Sequence, residues 1–199
     1  MENEKRMADN YEITQAIRIG RVEIVYGVNE ENECPYFCAL YKRRDILGEY
    51  SNCVVSKNYS EIIALFASRI KEQGELLQKE REAVTVPTEV ITAEQCIPND
   101  YTKNIRGKVI VIRPELLQPE YRAADCQLWL CRGGFGANAN SRGSGCYCVN
   151  LYSGEEGRWE RGDVLGEMKV LPDWAKERLV EIQKKDAEKE RARNSKEER

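Results

Sequence analysis

Residues 133–145 read GGFGANANSRGSG. Five glycines and two asparagines in so short a run oppose regular structure. Glycine loses the most backbone freedom on ordering, and asparagine side chains compete for backbone hydrogen bonds. Phe135 is the one side chain here able to fill a core. The flanking stretches QLWLCR (127–132) and CYCVNLY (146–152) have the composition of strands. The glycine-rich run is therefore the loop of a long hairpin. GFGANA also fits the G-x-G-x-x-A dinucleotide fingerprint, but that fingerprint needs a helix opening at its glycines, and a strand follows here. No G-K-[ST] follows either, so a Walker-type phosphate loop is excluded.

The remaining elements read in chain order. DNYEITQAIRI (9–19) predicts a short helix, with Asp9 or Asn10 as N-cap and Gly20 closing it. RVEIVYGV (21–28) and PYFCALY (35–41) predict a hairpin around NEENE, and NCVVS (52–56) a third strand. Asn58 and Glu61 form an N-x-x-E pair before Ile62, Ile63, Phe66, Ile70 and Leu77, a helical spacing. VPTEV (86–90) marks a boundary. TAEQ (92–95) predicts a helical turn, GKVIVIR (107–113) a strand, and GEEGRWE (154–160) a turn with a short strand. Pro172 opens a last helix with Trp174, Leu179 and Ile182 on its apolar side, and beyond Lys184 nearly every residue is charged. The expected class is α+β. It comprises an N-terminal α+β unit (1–84), a β-rich, barrel-like unit carrying the glycine-rich loop (85–170), and a C-terminal helix with a charged tail (171–199).

RRDILGE (43–49) and RGDVLGE (161–167) share the pattern R-x-D-[IV]-L-G-E. The echo suggests two hairpin-plus-helix units related by duplication. In that reading Asp45 and Asp163 cap turns, and Gly48 and Gly166 take positive φ. It also sets the acidic loop GVNEENE (27–33) and the Gly/Arg loop in equivalent positions with opposite charge. The second loop then carries something the fold does not require. RGD at 161–163 reads as a structural turn.

The chain contains no histidine. This excludes Ser-His and Cys-His catalytic pairs and His-ligated zinc. The eight cysteines lack the C-x2-C knuckles of common zinc sites. Cys126 and Cys131 fall on opposite faces of a single strand, while Cys146 and Cys148 share one. No metal and no cofactor are expected, a Cys-ligated zinc module on Cys146 and Cys148 being one alternative. Glu155 and Glu156 are adjacent, which suits a turn better than a two-metal site. The net charge of −3 confines any nucleic-acid role to a local patch. MENEKRMADN has no apolar signal region and no run is long enough to span a bilayer, so the expectation is a cytoplasmic protein without membrane contact.

The candidate site is the loop and its neighbours: Arg132, Gly133, Gly134, Phe135, Gly136, Asn138, Asn140, Arg142, Arg158 and Arg161. Glycine N–H groups can converge on an anion, and the arginines can pair bidentately with phosphate or carboxylate. Phe135 is a candidate apolar anchor. Three readings stand: a plain connector, a protein-recognition loop, or a nucleic-acid backbone contact.

ITAEQCIPNDY (91–101), ADCQLWL with GGFGANANSRG (124–143), RGDVLGEM followed by LPDWAKERL (161–179), and RIGRVEIVYGVNEEN (18–32) resemble small accessory proteins of conjugative elements and phages of gut anaerobic bacteria. The resemblance covers most of residues 10–180. It implies a non-enzymatic, counter-defence role, in a genetic setting shared with antirestriction proteins and anti-CRISPR inhibitors of Cas9. The implied partner is a host defence nuclease, a Cas9–guide RNA complex, bound directly or through its nucleic acid. The alternative is a DNA-binding accessory of conjugation or replication. Exposed hairpin edges would also permit a homodimer. No catalytic residue is implied.

Overall fold

The computed structural model describes residues 5–44 and 47–197. The protein is α+β, with a curled half-barrel sheet and a C-terminal helix. It divides into two compact units, Met1–Ala83 and Val84–Arg199.

Unit 1 is an antiparallel meander. Strands β1 (Met7–Ala8), β2 (Tyr11–Ile19), β3 (Val22–Val28), β4 (Tyr36–Arg44) and β5 (Leu47–Ser56) lie in sequence order. Helix α1 (Tyr59–Glu82) follows. Residues 11–19 are thus a strand, where the sequence predicted a helix. Two physical causes produce the misreading. A β-bulge between Ile13 and Gln15 shifts the register. It sends Ile13 to one face and Ile19 to the other, so the apolar residues lose their period of two. Asp9 (φ 52°) and Gly20 (φ 59°) make hairpin turns rather than helix caps. Both roles favour residues that tolerate left-handed backbone.

One face of this sheet presents Ile24, Tyr26 and Cys38 to Ile62, Phe66 and Ile70 of α1. The other carries Tyr11, Val25, Phe37 and Ala39, with Tyr41 and Tyr50 at its margin. The start of α1 follows the sequence with one relay. Asn58 Oδ1 accepts from Ser60 N at 3.0 Å, while Glu61 reaches back through Ser56 Oγ, which accepts from Asn58 N.

Unit 2 holds β6 (Cys96–Pro98), β7 (Val109–Ile112), the short α2 (Ala124–Gln127), β8 (Leu128–Gly133), β9 (Gly145–Asn150), β10 (Glu156–Glu160), β11 (Val164–Met168) and α3 (Asp173–Glu197). The strand order is β10-β9-β8-β7-β11-β6, so β11 is inserted between β7 and β6. Leu128, Leu130, Val149 and Leu151 face Ala175 and Ile182 of α3 in one core. Trp129, Cys131, Cys146 and Cys148 face Ile110, Ile112 and Val164 in another. The C-terminal helix belongs to unit 2 rather than forming a separate segment.

The motif shared by residues 43–49 and 161–167 occupies different settings. The described residues of the first copy end β4 and begin β5 of a meander, and the second copy enters the inserted strand β11. Asp45 lies outside the described residues. Asp163 caps its turn, accepting from Glu160 N at 2.8 Å. Gly48 and Gly166 are strand residues without positive φ. They are glycines because of close approach: a Cβ would strike the Tyr41 ring at one and Ile97 O at the other. Since the units differ in topology, the loops at 27–33 and 133–145 are not equivalent positions.

Strand alternation places Cys146 and Cys148 on one face, and register brings Cys131 opposite Cys148. Cys126, on α2, is on no strand. Among the described residues no group of three or more metal-capable side chains could hold an ion. The contact with Cys146 would lower the Cys131 thiol, but contact with Cys148 and burial outweigh it and push it up to about 11. Contact with Cys131 and burial also raise the Cys146 thiol. Both are protonated at neutral pH, which makes them poor nucleophiles and poor ligands.

A pH dependence follows with a definite sign. Unfolded cysteine releases its proton near 9.0, while folded Cys131 keeps it to about 11. The native state binds more protons between these values, so stability is full below pH 9 and is lost as pH rises toward 11. The raised hydroxyls of buried Tyr11 and Tyr26 act in the same direction at higher pH. Urea midpoints measured across this range should therefore fall. A flat profile from pH 9 to 11 would remove the buried-thiol account.

Candidate functional site

The glycine-rich loop is built into unit 2 rather than hanging from it. Gly134 (φ 99°) turns the chain into a short 3-10 turn, Phe135–Ala137. Ala137 is fully buried, and its carbonyl accepts from Ile105 N at 2.9 Å. Asn140 N donates to Tyr101 O at 2.9 Å. A Cβ on Gly134 would collide with Gly145 O, and one on Gly136 with Ser144 O. These glycines let the two arms of the loop press together backbone to backbone. That close approach accounts for them without an anion.

Arg161 holds the loop from beneath. It is 2% exposed, which corrects its assignment as a partner-contacting residue. Its Nε donates to Asn99 Oδ1 at 2.9 Å, and Nη1 to Gly136 O at 3.2 Å. Nη2 donates to Asp100 O at 2.8 Å and Lys103 O at 3.1 Å. The guanidinium also lies 5.5 Å from the Tyr101 ring centroid. The backbone N of Arg161 donates to Ser144 O at 2.7 Å. A planar fork with five donors suits such a convergence of carbonyls, and lysine has no equivalent geometry.

Arg132 is likewise committed within the fold. It pairs with Glu156 at 2.7 Å and with Asp186 of α3 at 2.6 Å, fastening the helix to the sheet. The arginines that remain toward solvent are Arg142 and Arg158. Arg142 is exposed and makes no ion pair among the described residues. Arg158 pairs with Glu160 at 2.6 Å, keeps 57% of its side chain exposed, and lies along the Cβ direction of Gly145. Asn138 and Asn140 are exposed on the loop, Asn140 with φ 53°. Gly133 ends β8.

Phe135 is 78% exposed, so it anchors no internal core. Its Cβ sits where a side chain on Gly143 would be. Tyr147, 61% exposed, was not among the candidates from sequence. It is the cross-strand partner of Arg158 and shares a face of β9 with Gly145. The signal was present in CYCVNLY: if Cys146 and Cys148 face one core, Tyr147 must face away. Phe135 beside Gly143, and Arg158 with Tyr147 beside Gly145, put aromatic and cationic groups on the surface of this hairpin and its neighbour β10. Such a surface can bury apolar area, stack on planar groups and pair with an anion.

No family model, curated protein or solved structure matches this chain. No helix is long and apolar enough to cross a membrane among the described residues. The local geometry therefore carries the functional reading.

Proposed function

We propose that this chain is a non-enzymatic binding protein of a mobile genetic element that blocks a host defence nuclease of the Cas9 type. Phe135, Tyr147, Arg142 and Arg158 form the docking surface, and the effector or its bound nucleic acid is the target. One observation carries the reading. Phe135 is held 78% exposed on a loop that buried Arg161 fixes from below. A preorganised aromatic beside arginines is the kind of anchor that dominates interface energies, because little ordering entropy is lost on binding. The resemblance to accessory proteins of conjugative elements supports the choice of target.

The test is cleavage of a target plasmid by a purified Cas9–guide complex preincubated with this protein. The expected result is a dose-dependent block near equimolar ratio. Replacing Phe135 and Arg158 together by alanine should weaken it by about tenfold to a hundredfold, as for a hot-spot pair. Full cleavage at large excess would remove the Cas9 reading.

A second reading draws on Tyr147 beside Arg158, a pairing suited to base stacking with phosphate contact. It makes the chain a nucleic-acid-binding accessory of conjugation or replication. Anisotropy of a labelled single strand, without any nuclease, would then rise on titration and fall steeply with salt.

A further inference from the structure

On the face of unit 1 opposite α1, the sheet ends in a cavity of about 350 Å³. It is lined by Arg6, Arg18, Arg21, Glu23, Tyr41 and Arg43. The register explains the convergence. Arg18 pairs with Glu23 across β2–β3, and Glu23 with Tyr41 across β3–β4, so the three form one row. Arg43 lies two residues further along β4 on the same face, and Arg21 stands in the β2–β3 turn. The bulge in β2 is what brings Arg18 to this face.

Arg6 crosses the row from the segment before β1. Its Nη1 donates to Glu23 Oε2 at 2.7 Å, and its Nε to Tyr50 Oη at 3.2 Å. The guanidinium lies 4.4 Å from the Tyr41 ring centroid. Its Nη2 is buried and has no hydrogen-bond partner. A buried donor without an acceptor is costly, and native structures rarely keep one. Among the described residues four guanidinium groups line the cavity, with Glu23 as the one carboxylate. Arg18 and Arg21 make further contacts of their own.

We propose that this cavity binds a small phosphate-bearing anion. Four guanidinium groups around one carboxylate among the described lining residues favour a multiply charged group over a single carboxylate. Arginine forks match phosphate oxygens bidentately. The volume lies at the lower end of small-molecule sites, enough for a diphosphate or a nucleoside phosphate. The lining residues belong to unit 1 and the loop to unit 2, so the two assignments stand or fall separately.

Isothermal titration of the full chain with pyrophosphate tests it, with ADP and a short single-stranded oligonucleotide in parallel. Saturable binding of pyrophosphate is expected, weakening with salt. Arg18→Gln with Arg43→Gln should reduce affinity by about tenfold or more, since each charge-assisted pair is lost. Circular dichroism of the variant separates lost binding from lost folding, and Arg43→Gln alone, at an exposed position, provides a milder control. Tighter binding of ADP would add recognition of the nucleoside, and equal binding would assign the site to the phosphates. Phe135→Ala should leave pyrophosphate binding unchanged. The proposal is overturned by absence of heat with both pyrophosphate and ADP at millimolar concentration, by an affinity indifferent to the arginine variants, or by binding of the oligonucleotide alone.

Discussion

Replacing Arg161 by methionine should destabilise unit 2 by about 3 kcal/mol or more, through loss of a buried hydrogen-bond network. Methionine retains much of the volume, so the main loss is polar. Four acceptors lose their donor: Asn99 Oδ1 and the carbonyls of Gly136, Asp100 and Lys103. A buried acceptor left unsatisfied costs about 1–3 kcal/mol, although those near the surface can recruit water. Lysine should rescue little, because one ammonium cannot reach carbonyls spread around a planar fork. Urea unfolding of unit-2 fluorescence, from Trp129 and Trp159, reads the loss. A change below about 1 kcal/mol would show that the network contributes no more than an ordinary surface pair. The same variant should free the loop, so proteolysis within 134–144 should quicken. Under the proposed docking role, binding through the loop should weaken with it, through lost preorganisation.

Gln127→Leu should cost a similar amount, about 2–4 kcal/mol, for a purer reason. Gln127 is fully buried. Its Oε1 accepts from Ile91 N at 2.8 Å, and its Nε2 donates to Ile91 O and Ile112 O at 3.1 Å each. One amide side chain thereby ties the segment entering unit 2 to β7. Leucine fills nearly the same space and satisfies none of the three backbone groups. Gln127→Glu probes the same point electrostatically. A carboxylate facing two carbonyl oxygens would hold its proton to higher pH, so that variant should lose stability as pH rises through neutrality. A wild-type urea midpoint in Gln127→Leu would mean that the freed groups find water.

Much of this architecture is local and could be read from the chain. Glycines at 133–145 and strand-like runs on either side define the hairpin. Asn58 and the apolar spacing from Ile62 define α1. Alternation puts Cys146 and Cys148 on one face and, followed through, turns Tyr147 outward. The strand at 11–19 escaped because a bulge erases the period of two, and because turn and cap residues are the same types.

What escaped entirely was non-local. Arg142 and Arg161 look alike as sequence, yet one is solvent-exposed and the other 2% exposed. The difference comes from carbonyls at 100, 103 and 136, which meet only once β11 has entered between β7 and β6. Arg6, Arg18, Arg21 and Arg43 are likewise scattered until strand register gathers them around one cavity. Side-chain period is a property of a few neighbouring residues and is written in the chain. The fate of a charged group depends on which distant backbone oxygens surround it, and that is settled only by strand order and register.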